Sequence, residues 1–356
     1  MALPPPRTTG SGPRRKPAWT ATRTRRLVQG FVVLLTLAIG LQFVFFARSC
    51  VDPASPAVER PPGVAGFLPI AGLMGLRNWL ATGRLDHVQP SAALLLLLAI
   101  LVSIALKKSF CSWICPVGTA SEWMWRLRAR LFKRWPSHAA ARWLDRFLMA
   151  PKYLVLGFFG YFILVAMTPR DLAAFIEGPY NRVADVRMLA FFAHPSSVTI
   201  TVLAALVLFT FLVKNAWCRY LCPYGALLGL ASFLSPVKLT RLDSACTGCA
   251  ACTRACPMHL PVRELGTVRS PECTACLLCV DACPEDRALA VGPTRAWDRG
   301  RTALAACLLV LLVYFGGILL AKVTGHWANG ITRQEYRQIV PGAMQRYPAR
   351  GKPGQP

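Results

Sequence analysis

The sequence predicts a mainly α-helical, polytopic membrane protein with a small cysteine-rich insert. Three observations support this fold class. The 356 residues are 54% hydrophobic and only 16% charged, yet their formal net charge is +25. Five apolar stretches reach, or nearly reach, the length of about 20 residues that spans a bilayer. Eight of the 14 cysteines fall in two short runs. Basic loops on the cytoplasmic side of a membrane explain the charge and the hydropathy together.

The five predicted spans carry no Asp, Glu, Lys or Arg in their interiors, apart from Lys152 at the start of the third. They cover residues 27–47, 90–106, 152–168, 197–213 and 302–321. A buried core helix explains one such stretch but not five. A sixth apolar stretch, 64–82, contains Arg77 and is predicted to be an interfacial or re-entrant helix.

The distribution of basic residues predicts the orientation of these spans. Lys and Arg total 28 in the N-terminal tail, loop 107–152 and segment 214–301, against 13 in 48–89, 170–196 and the tail from 322. The positive-inside rule assigns the first group to the cytoplasm. The predicted organisation is therefore a disordered basic cytoplasmic tail (1–26), a four-span membrane domain (27–237), the insert (238–294), a fifth span (302–322) and an external tail (323–356).

The two cysteine runs have the spacing of bacterial ferredoxins. The pattern C-x2-C-x2-C-x3-C-P extends from Cys246 to Pro257 and again from Cys273 to Pro284. In this arrangement each run supplies three thiolates to one 4Fe–4S cluster and its fourth to the neighbouring cluster. A zinc site requires only one four-ligand set. The predicted ligand sets are Cys246, Cys249, Cys252 and Cys283 for the first cluster, and Cys273, Cys276, Cys279 and Cys256 for the second.

Four further cysteines belong to an internal repeat, K-x2-aromatic-C-x-aromatic-aliphatic-C-P-x-G. One copy contains Cys111 and Cys115 after the second span, and the other contains Cys218 and Cys222 after the fourth. Cysteines four residues apart share one face of a helix. Two related helix pairs, repeated about an axis along the membrane normal, could bring these faces into one four-thiolate site. That site could bind a metal or a further cluster, or cycle between dithiol and disulfide; the alternative is four small buried residues.

The paired CSWICP and CRYLCP motifs followed by the double cysteine run resemble the membrane polyferredoxin family over residues 27–290. That family includes the membrane subunit of nitrate-reductase-linked quinol dehydrogenases, the membrane portion of the nitrous-oxide-reductase regulator and a copper-reducing oxidase-assembly ferredoxin. The resemblance implies redox work at the inner membrane of a bacterium, with electrons passing through 4Fe–4S clusters that face the cytoplasm.

The absence of several cofactor-binding motifs narrows the range of cofactors that we expect. The sequence has no C-x-x-C-H for covalent haem and no Rossmann or P-loop fingerprint. The few residues before the first span and after the last leave no room for the flavin-binding or β-domains of some family members. We therefore expect two 4Fe–4S clusters, with an additional metal or cluster at the CxxxCP cysteines as an open alternative, and no flavin, haem or nucleotide.

The loop 107–152 contains apolar residues at four-residue spacing among basic ones: Trp123, Leu127, Leu131 and Trp135. This pattern predicts a basic amphipathic helix on the membrane surface. Because membrane spans flank the loop, anionic lipid is a better candidate partner than nucleic acid.

Two functional hypotheses follow. In the first, the chain relays electrons between the quinone pool or a cytoplasmic donor and a partner redox protein, such as a quinol dehydrogenase, cytochrome or reductase. In the second, it is an accessory metal (copper) reductase or a redox-sensing maturation factor. Neither hypothesis predicts a catalytic residue, and both make the chain a component of an oxidoreductase system and not a stand-alone enzyme.

Overall fold

The computed structural model describes residues 20–132, 142–285, 288–292 and 299–344, and these are mainly helical. The α-helices are α1 (Ala21–Val51), α2 (Pro69–Thr82), α3 (Pro90–Ala105), α4 (Phe110–Trp113), α5 (Pro116–Leu131), α6 (Arg142–Tyr161), α7 (Pro169–Glu177), α8 (Pro179–Arg182), α9 (Ala184–Ala193), α10 (Ser197–Leu212), α11 (Pro223–Ala231), α12 (Ala251–Ala255), α13 (Leu278–Ala282), α14 (Arg299–Leu311), α15 (Gly317–Val323) and α16 (Arg333–Met344). Residues 1–19 of the predicted tail, and Trp135 of the predicted amphipathic helix, lie outside the described residues.

Shorter helical segments and three strands complete the secondary structure. The 3₁₀ segments are Pro62–Phe67, Ser232–Leu234 and Asp243–Ala245, and the π-helical segments are Phe162–Ala166, Trp217–Leu221 and Leu312–Gly316. The strands are β1 (Leu239–Arg241), β2 (Thr267–Val268) and β3 (Leu289–Val291).

Each predicted span coincides with a helix, but the helices differ in length. Three described helices are long and apolar enough to cross a membrane: Ala21–Val51, Trp143–Ala166 and Gly300–Val323. The helices α3 and α10 have 16 residues each, which is roughly 24 Å against a hydrocarbon thickness of about 30 Å. The helices α9 and α10 meet at 86°. They provide a fourth span only if this bent pair is counted as one span. Three or four spans are therefore observed by length, and the count of five remains a prediction.

The two short helices end for the same reason. The backbone is left-handed at Lys107 (φ 51°), shortly after α3, and at Asn215 (φ 49°), shortly after α10. A residue with a side chain rarely adopts this conformation, and it interrupts the helical hydrogen-bond ladder. Both interruptions fall at the beginning of a CxxxCP copy, so the repeat in the sequence is also a repeat of backbone geometry.

Contacts divide the chain into two compact units. Unit 1 comprises the chain up to Leu34 with Leu98–Gly157 and Leu206–Gly317, and unit 2 comprises Leu35–Leu97, Phe158–Ala205 and the chain from Ile318. Both CxxxCP copies and both cysteine runs belong to unit 1. Its core is continuous from apolar residues of α1 and α3 to those of the insert, including Val28, Val102, Trp113, Leu228 and Val268.

In unit 2, the charged residue of the sixth apolar stretch has a local partner. Arg77 on α2 donates hydrogen bonds to the carbonyl of Met167, at 2.8 Å, and to that of Ile163. These carbonyls lie at the C-terminal end of the helix that continues α6, where no further residue of that helix can satisfy them. The guanidinium therefore caps a helix end.

The predicted external tail contains a helix, α16, that the sequence analysis missed. Tyr336 and Val340 of α16 are buried beside Phe43 and Phe46 of α1, and the rings of Tyr336 and Phe46 meet edge to face at 5.2 Å. Val183 and Val186 from segment 170–196 join the same cluster. The tail therefore packs beside that segment, and the side of the membrane that both face remains a prediction.

The insert is a small antiparallel sheet with two short helices. β1 is central and pairs Leu239 with Val268 of β2 and with Val291 of β3. The helices α12 and α13 pack against each other. These elements occupy the range predicted for the insert, although residues 286–287 and 293–294 lie outside the described residues.

The proposed orientation can be tested with two introduced cysteines. Ser244 in the insert and Ala57 in loop 48–89 are both exposed. In intact spheroplasts, a membrane-impermeant thiol reagent should add label to Ala57→Cys but not to Ser244→Cys, each relative to the parent chain. Inverted vesicles should give the opposite result. Labelling of Ser244→Cys in spheroplasts would show that the orientation is the opposite of the predicted one.

Candidate iron–sulfur centre

The two cysteine runs fold as the same loop and helix twice. Left-handed residues occur at Gly248 and Ala250 in the first run, and at Ala275 and Leu277 in the second. Ala250 directly precedes the five-residue helix α12, and Leu277 directly precedes the five-residue helix α13. The conformation costs glycine nothing but is unfavourable for the other three residues. The surrounding contacts must therefore hold both loops in this shape.

The structure brings together the cysteines of each predicted ligand set. One cavity, here called the exposed site, is lined by Cys246, Cys249, Cys252 and Cys283. A second cavity, here called the buried site, is lined by Cys256, Cys273, Cys276 and Cys279. Cys249 is exposed to solvent, whereas Cys256 and Cys276 are buried. Each cavity therefore combines three cysteines of one run with the last cysteine of the other.

The arrangement of these thiols fits a cluster better than a single metal ion. Among the described residues, no three His, Cys, Asp or Glu side chains converge on a point that could hold one ion. Zinc requires its ligands within about 2.3 Å of one centre, whereas a 4Fe–4S cluster distributes four thiolates over four irons. Burial raises the pKa of Cys256 to about 12, so iron must supply the stabilisation that keeps this sulfur ionised.

The CxxxCP cysteines straddle a helix break in each copy. Cys111 lies in α4 and Cys115 precedes α5, whereas Cys218 lies in the π-helical segment and Cys222 precedes α11. Proline occupies the first helical position after each second cysteine, where its missing N–H costs nothing. The first cysteine of each copy is therefore helical, and the second lies at the junction where a new helix starts at the proline.

The glycine of the repeat has a steric role in the first copy. A β-carbon on Gly118 would lie 2.1 Å from the carbonyl oxygen of Cys111, which no side chain tolerates. At Gly225 the corresponding distance to the oxygen of Cys218 is 3.5 Å, an ordinary contact. The first copy is thus folded more tightly than the second.

All four CxxxCP thiols lie in one neighbourhood. Burial raises the pKa of Cys111 and Cys218, and the charges of the other CxxxCP thiols raise both further. Burial likewise raises the pKa of Cys222, and that of Cys115 to about 11. The structure thus collects the predicted four-thiol group, and its sulfurs are neutral at physiological pH unless an occupant binds them.

The first CxxxCP copy is hydrogen-bonded to a loop of the buried site. Ser112 Oγ donates to the carbonyl of Thr274 at 2.7 Å, and the fully buried Trp113 donates its indole N–H to that of Ala275 at 3.2 Å. Thr274 and Ala275 lie between the ligand candidates Cys273 and Cys276. Residues between the two cysteines of the motif therefore hold the backbone between two cysteines of the buried site.

The second CxxxCP copy contacts the buried site through residues of the first cysteine run. The amide of Asn215 contacts the sulfur of Met258 at 3.9 Å, and Lys214 interacts electrostatically with Cys256. Cys256 is the residue that the first run contributes to the buried site. Both repeats therefore face the buried site.

A buried ionic cluster joins the membrane helices to the insert. The carboxylate of Glu272 accepts hydrogen bonds from Lys108 at 3.0 Å, Lys152 at 2.6 Å and the hydroxyl of Tyr153 at 3.0 Å. Both lysines are fully buried. Burial alone would raise the pKa of Glu272, but the two ammonium groups outweigh it and keep the pKa below its usual value. Glu272 therefore remains charged next to Cys273.

Sequence reasoning missed this cluster. The lysine of the repeat is Lys107 and not Lys108, and Lys152 is only the first residue of a predicted span. The available signal was a lysine inside an apolar stretch, which needs a counter-charge. The residue that supplies it is 120 positions away, so its identity could not be read from local spacing.

Two ferredoxin-like sites and a four-thiol group, on a chain with membrane-length apolar helices, define a membrane-associated iron–sulfur electron-transport protein. A "4Fe-4S dicluster domain" matches residues 238–284, which hold both cysteine runs. A "4Fe-4S binding domain" matches residues 88–134 and 196–241, so that each match contains one CxxxCP copy.

Similar proteins assign the chain to a family. YccM of Escherichia coli K12, named for electron transport, is 39% identical over 328 residues, which is 91% of each chain. The methylamine utilization ferredoxin-type protein MauN of Methylorubrum extorquens is 29% identical over 54% of this chain and 62% of its own length. The ferredoxin-type protein NapH of Escherichia coli K12 is 28% identical over 52% and 59%. No solved structure matches. The chain belongs to the polyferredoxin-like family that contains YccM.

Single substitutions can test the crossed ligand sets. In anaerobically purified protein, the two sites should together hold about eight irons and eight sulfides. Cys249→Ser and Cys283→Ser should each remove the same paramagnetic resonance signal, that of the exposed site. Cys256→Ser and Cys276→Ser should each remove the other. If Cys256→Ser instead removes the same signal as Cys249→Ser, each cluster takes its ligands from a single run.

Removal of the buried carboxylate should separate the insert from the helices. Glu272→Gln leaves two buried lysines without a counter-charge, which costs about 3–5 kcal/mol. We expect a lower thermal unfolding midpoint and loss of the buried-site signal, both measured in detergent. Glu264→Gln, at an exposed position, removes the same charge and should leave both unchanged. Wild-type stability in Glu272→Gln would show that the ionic cluster is dispensable.

Proposed function

We propose that this chain relays electrons between the membrane quinone pool or a cytoplasmic donor and a partner redox protein, and that the CxxxCP thiols belong to the relay. One observation carries the proposal: Ser112 and Trp113, inside the first motif, bind the loop between Cys273 and Cys276. The clusters supply one-electron transfer, and the protein holds their ligands at fixed positions. A motif with a purely structural role would not need to meet the ligand loop with its own inter-cysteine residues.

Burial gives the relay an order. The exposed site reaches solvent at Cys249, the buried site has Cys256 and Cys276 buried, and Cys111 of the four-thiol group is buried. The backbone and side-chain contacts described above connect the four-thiol group to the buried site. α12 and α13, one from each run, pack together and connect the buried site to the exposed one. Electrons exchanged with a soluble protein therefore use the exposed site, and those exchanged within the membrane use the thiols.

The proposed location is the cytoplasmic face of a bacterial inner membrane. α5 supports contact with lipid, because Trp123, Leu127 and Leu131 are exposed whereas Glu122 and Arg128 are buried. A helix that exposes large apolar side chains while burying some of its charged ones suits a lipid environment. MauN and NapH are both named as ferredoxin-type proteins, which supports a role in electron transfer.

The second candidate is a metal (copper) reductase or a redox-sensing maturation factor. It is favoured by the four CxxxCP thiols, which lie in one neighbourhood and of which Cys111 is buried. Against a bound copper ion, no three of the described thiols converge on one point. The match of a 4Fe-4S binding domain to both CxxxCP copies favours an iron–sulfur occupant. We therefore place the relay first.

The relay can be tested with a paired cysteine variant. Cys111→Ser with Cys218→Ser should retain the dithionite-reducible signals of both ferredoxin sites, because their eight ligands are unchanged. Reduction of these signals by quinol in proteoliposomes should fall at least about 100-fold, since a required step is removed. Cys50→Ser with Cys307→Ser, the two cysteines outside both motifs, is the matched control and should react like wild type.

Two results would contradict the relay. Quinol-dependent reduction at the wild-type rate in Cys111→Ser with Cys218→Ser would make the motifs structural. Loss of bound copper from this variant, with unchanged quinol-dependent reduction, would favour the maturation factor.

A further inference from the structure

Three arginines surround the first cysteine run at its exposed end. Arg254 donates to the carbonyl of Cys249 at 2.9 Å, and Arg241 hydrogen-bonds to the thiol of Cys246. The guanidinium of Arg263 lies against Gly248, where a β-carbon would be 3.6 Å from Nη2. Arg241, Arg254 and Arg263 are here called the arginine rim. The rim surrounds the part of the exposed site that faces solvent.

The rim keeps its positive charge although the insert also contains acidic residues. Glu272 is neutralised by Lys108 and Lys152, and Asp281 accepts hydrogen bonds from the backbone and hydroxyl of Thr22 at the start of α1. These two carboxylates therefore interact with partners inside the protein. Asp243, paired with Arg241 at 2.5 Å, the exposed Glu264 and the partly exposed Glu285 remain in the described part of the segment. Arg254 and Arg263 are therefore the main source of positive charge at the exposed site.

The buried site offers no comparable surface. Of its neighbouring cations, Lys107 and Lys108 are buried, and Lys238, which also lines the site, is partly exposed. The arginine rim is thus the place where a soluble protein can approach a cluster of this chain while meeting positive charge. Complementary charge at such a surface accelerates encounter and orients the partners.

The surroundings of the rim favour a protein partner over a lipid surface. Between residues 235 and 292, no large apolar side chain of the described part of the chain is exposed. A surface that lies on a membrane needs apolar side chains to insert between lipids, as α5 provides with Trp123, Leu127 and Leu131. The rim lacks them and surrounds a redox site instead.

We propose that the arginine rim is the docking surface for a soluble electron-carrier protein with an acidic face. This proposal rests on the proposed relay and names its water-soluble partner by charge and chemistry. On docking, one electron leaves the reduced carrier and enters the exposed site. The carrier is oxidised, the exposed site is reduced, and no bond is made or broken.

The test measures electron transfer from a reduced acidic plant-type ferredoxin to the full chain, with its clusters, in nanodiscs of zwitterionic lipid. The second-order rate constant should fall steeply as salt rises, because the attraction is screened. Arg254→Glu should lower it about 10-fold at low salt and flatten its salt dependence. Arg254→Gln should give a smaller decrease of the same kind. Arg130→Glu, an equal charge change at an exposed position of α5, should leave the rate unchanged.

Controls separate docking from cluster damage and from failure of the relay. Each variant should keep its iron content and its dithionite-reducible signals, and quinol should reduce Arg254→Glu at the wild-type rate. Equal rates of electron transfer from ferredoxin in wild type, Arg254→Glu and Arg254→Gln would overturn the docking proposal. Reduction by quinol at the wild-type rate in Arg254→Glu would leave the relay intact. An effect of Arg254→Glu that appears only in nanodiscs with anionic lipid would assign the rim to the membrane and also overturn it.

Discussion

The carboxylate of Glu272 connects three parts of the chain that are far apart in sequence. Lys108 belongs to the first CxxxCP copy, Lys152 to a membrane helix, and Glu272 to the ferredoxin insert. Each of these charges would be very unfavourable alone in a buried position. The two ion pairs therefore stabilise the positions in which the three parts meet. The positions of Cys273, next to Glu272, and of Cys111, three residues after Lys108, follow from this arrangement.

Much of the candidate site could be predicted from sequence because its determinants are local. Spacing within each run identified the ligand candidates, and both cavities contain the crossed sets. Periods of apolar residues located the helices. The failures involve non-local or conformational effects. The left-handed conformation of Lys107 has no signal in the sequence, although Asn215 is of a residue type that adopts it more readily than most. The helix α16 depends on burial of Tyr336 and Val340 against the distant Phe43 and Phe46.

The two CxxxCP copies have diverged in what their equivalent residues bind. Ser112 and Trp113 of the first copy hold the loop of the buried site. The equivalent residues of the second copy, Arg219 and Tyr220, instead hold Asp145 on α6, at 2.8 Å and 2.7 Å. The first copy is thus attached to the insert and the second to a membrane helix. The duplicated sequence supplies four similar thiols, while its intervening residues support them from two different elements.

The shortness of α3 and α10 has a consequence for the surrounding bilayer. Each helix falls roughly 6 Å short of the hydrocarbon thickness. Such hydrophobic mismatch is relieved when the bilayer thins locally or when the following residues fill the missing depth. The residues that follow both helices are the CxxxCP copies, with buried Phe110 and Trp113 in the first and Tyr220 in the second. If α3 and α10 span the membrane as predicted, the four thiols would lie near the depth of the lipid headgroups, where a lipid-soluble reactant could reach them by lateral diffusion.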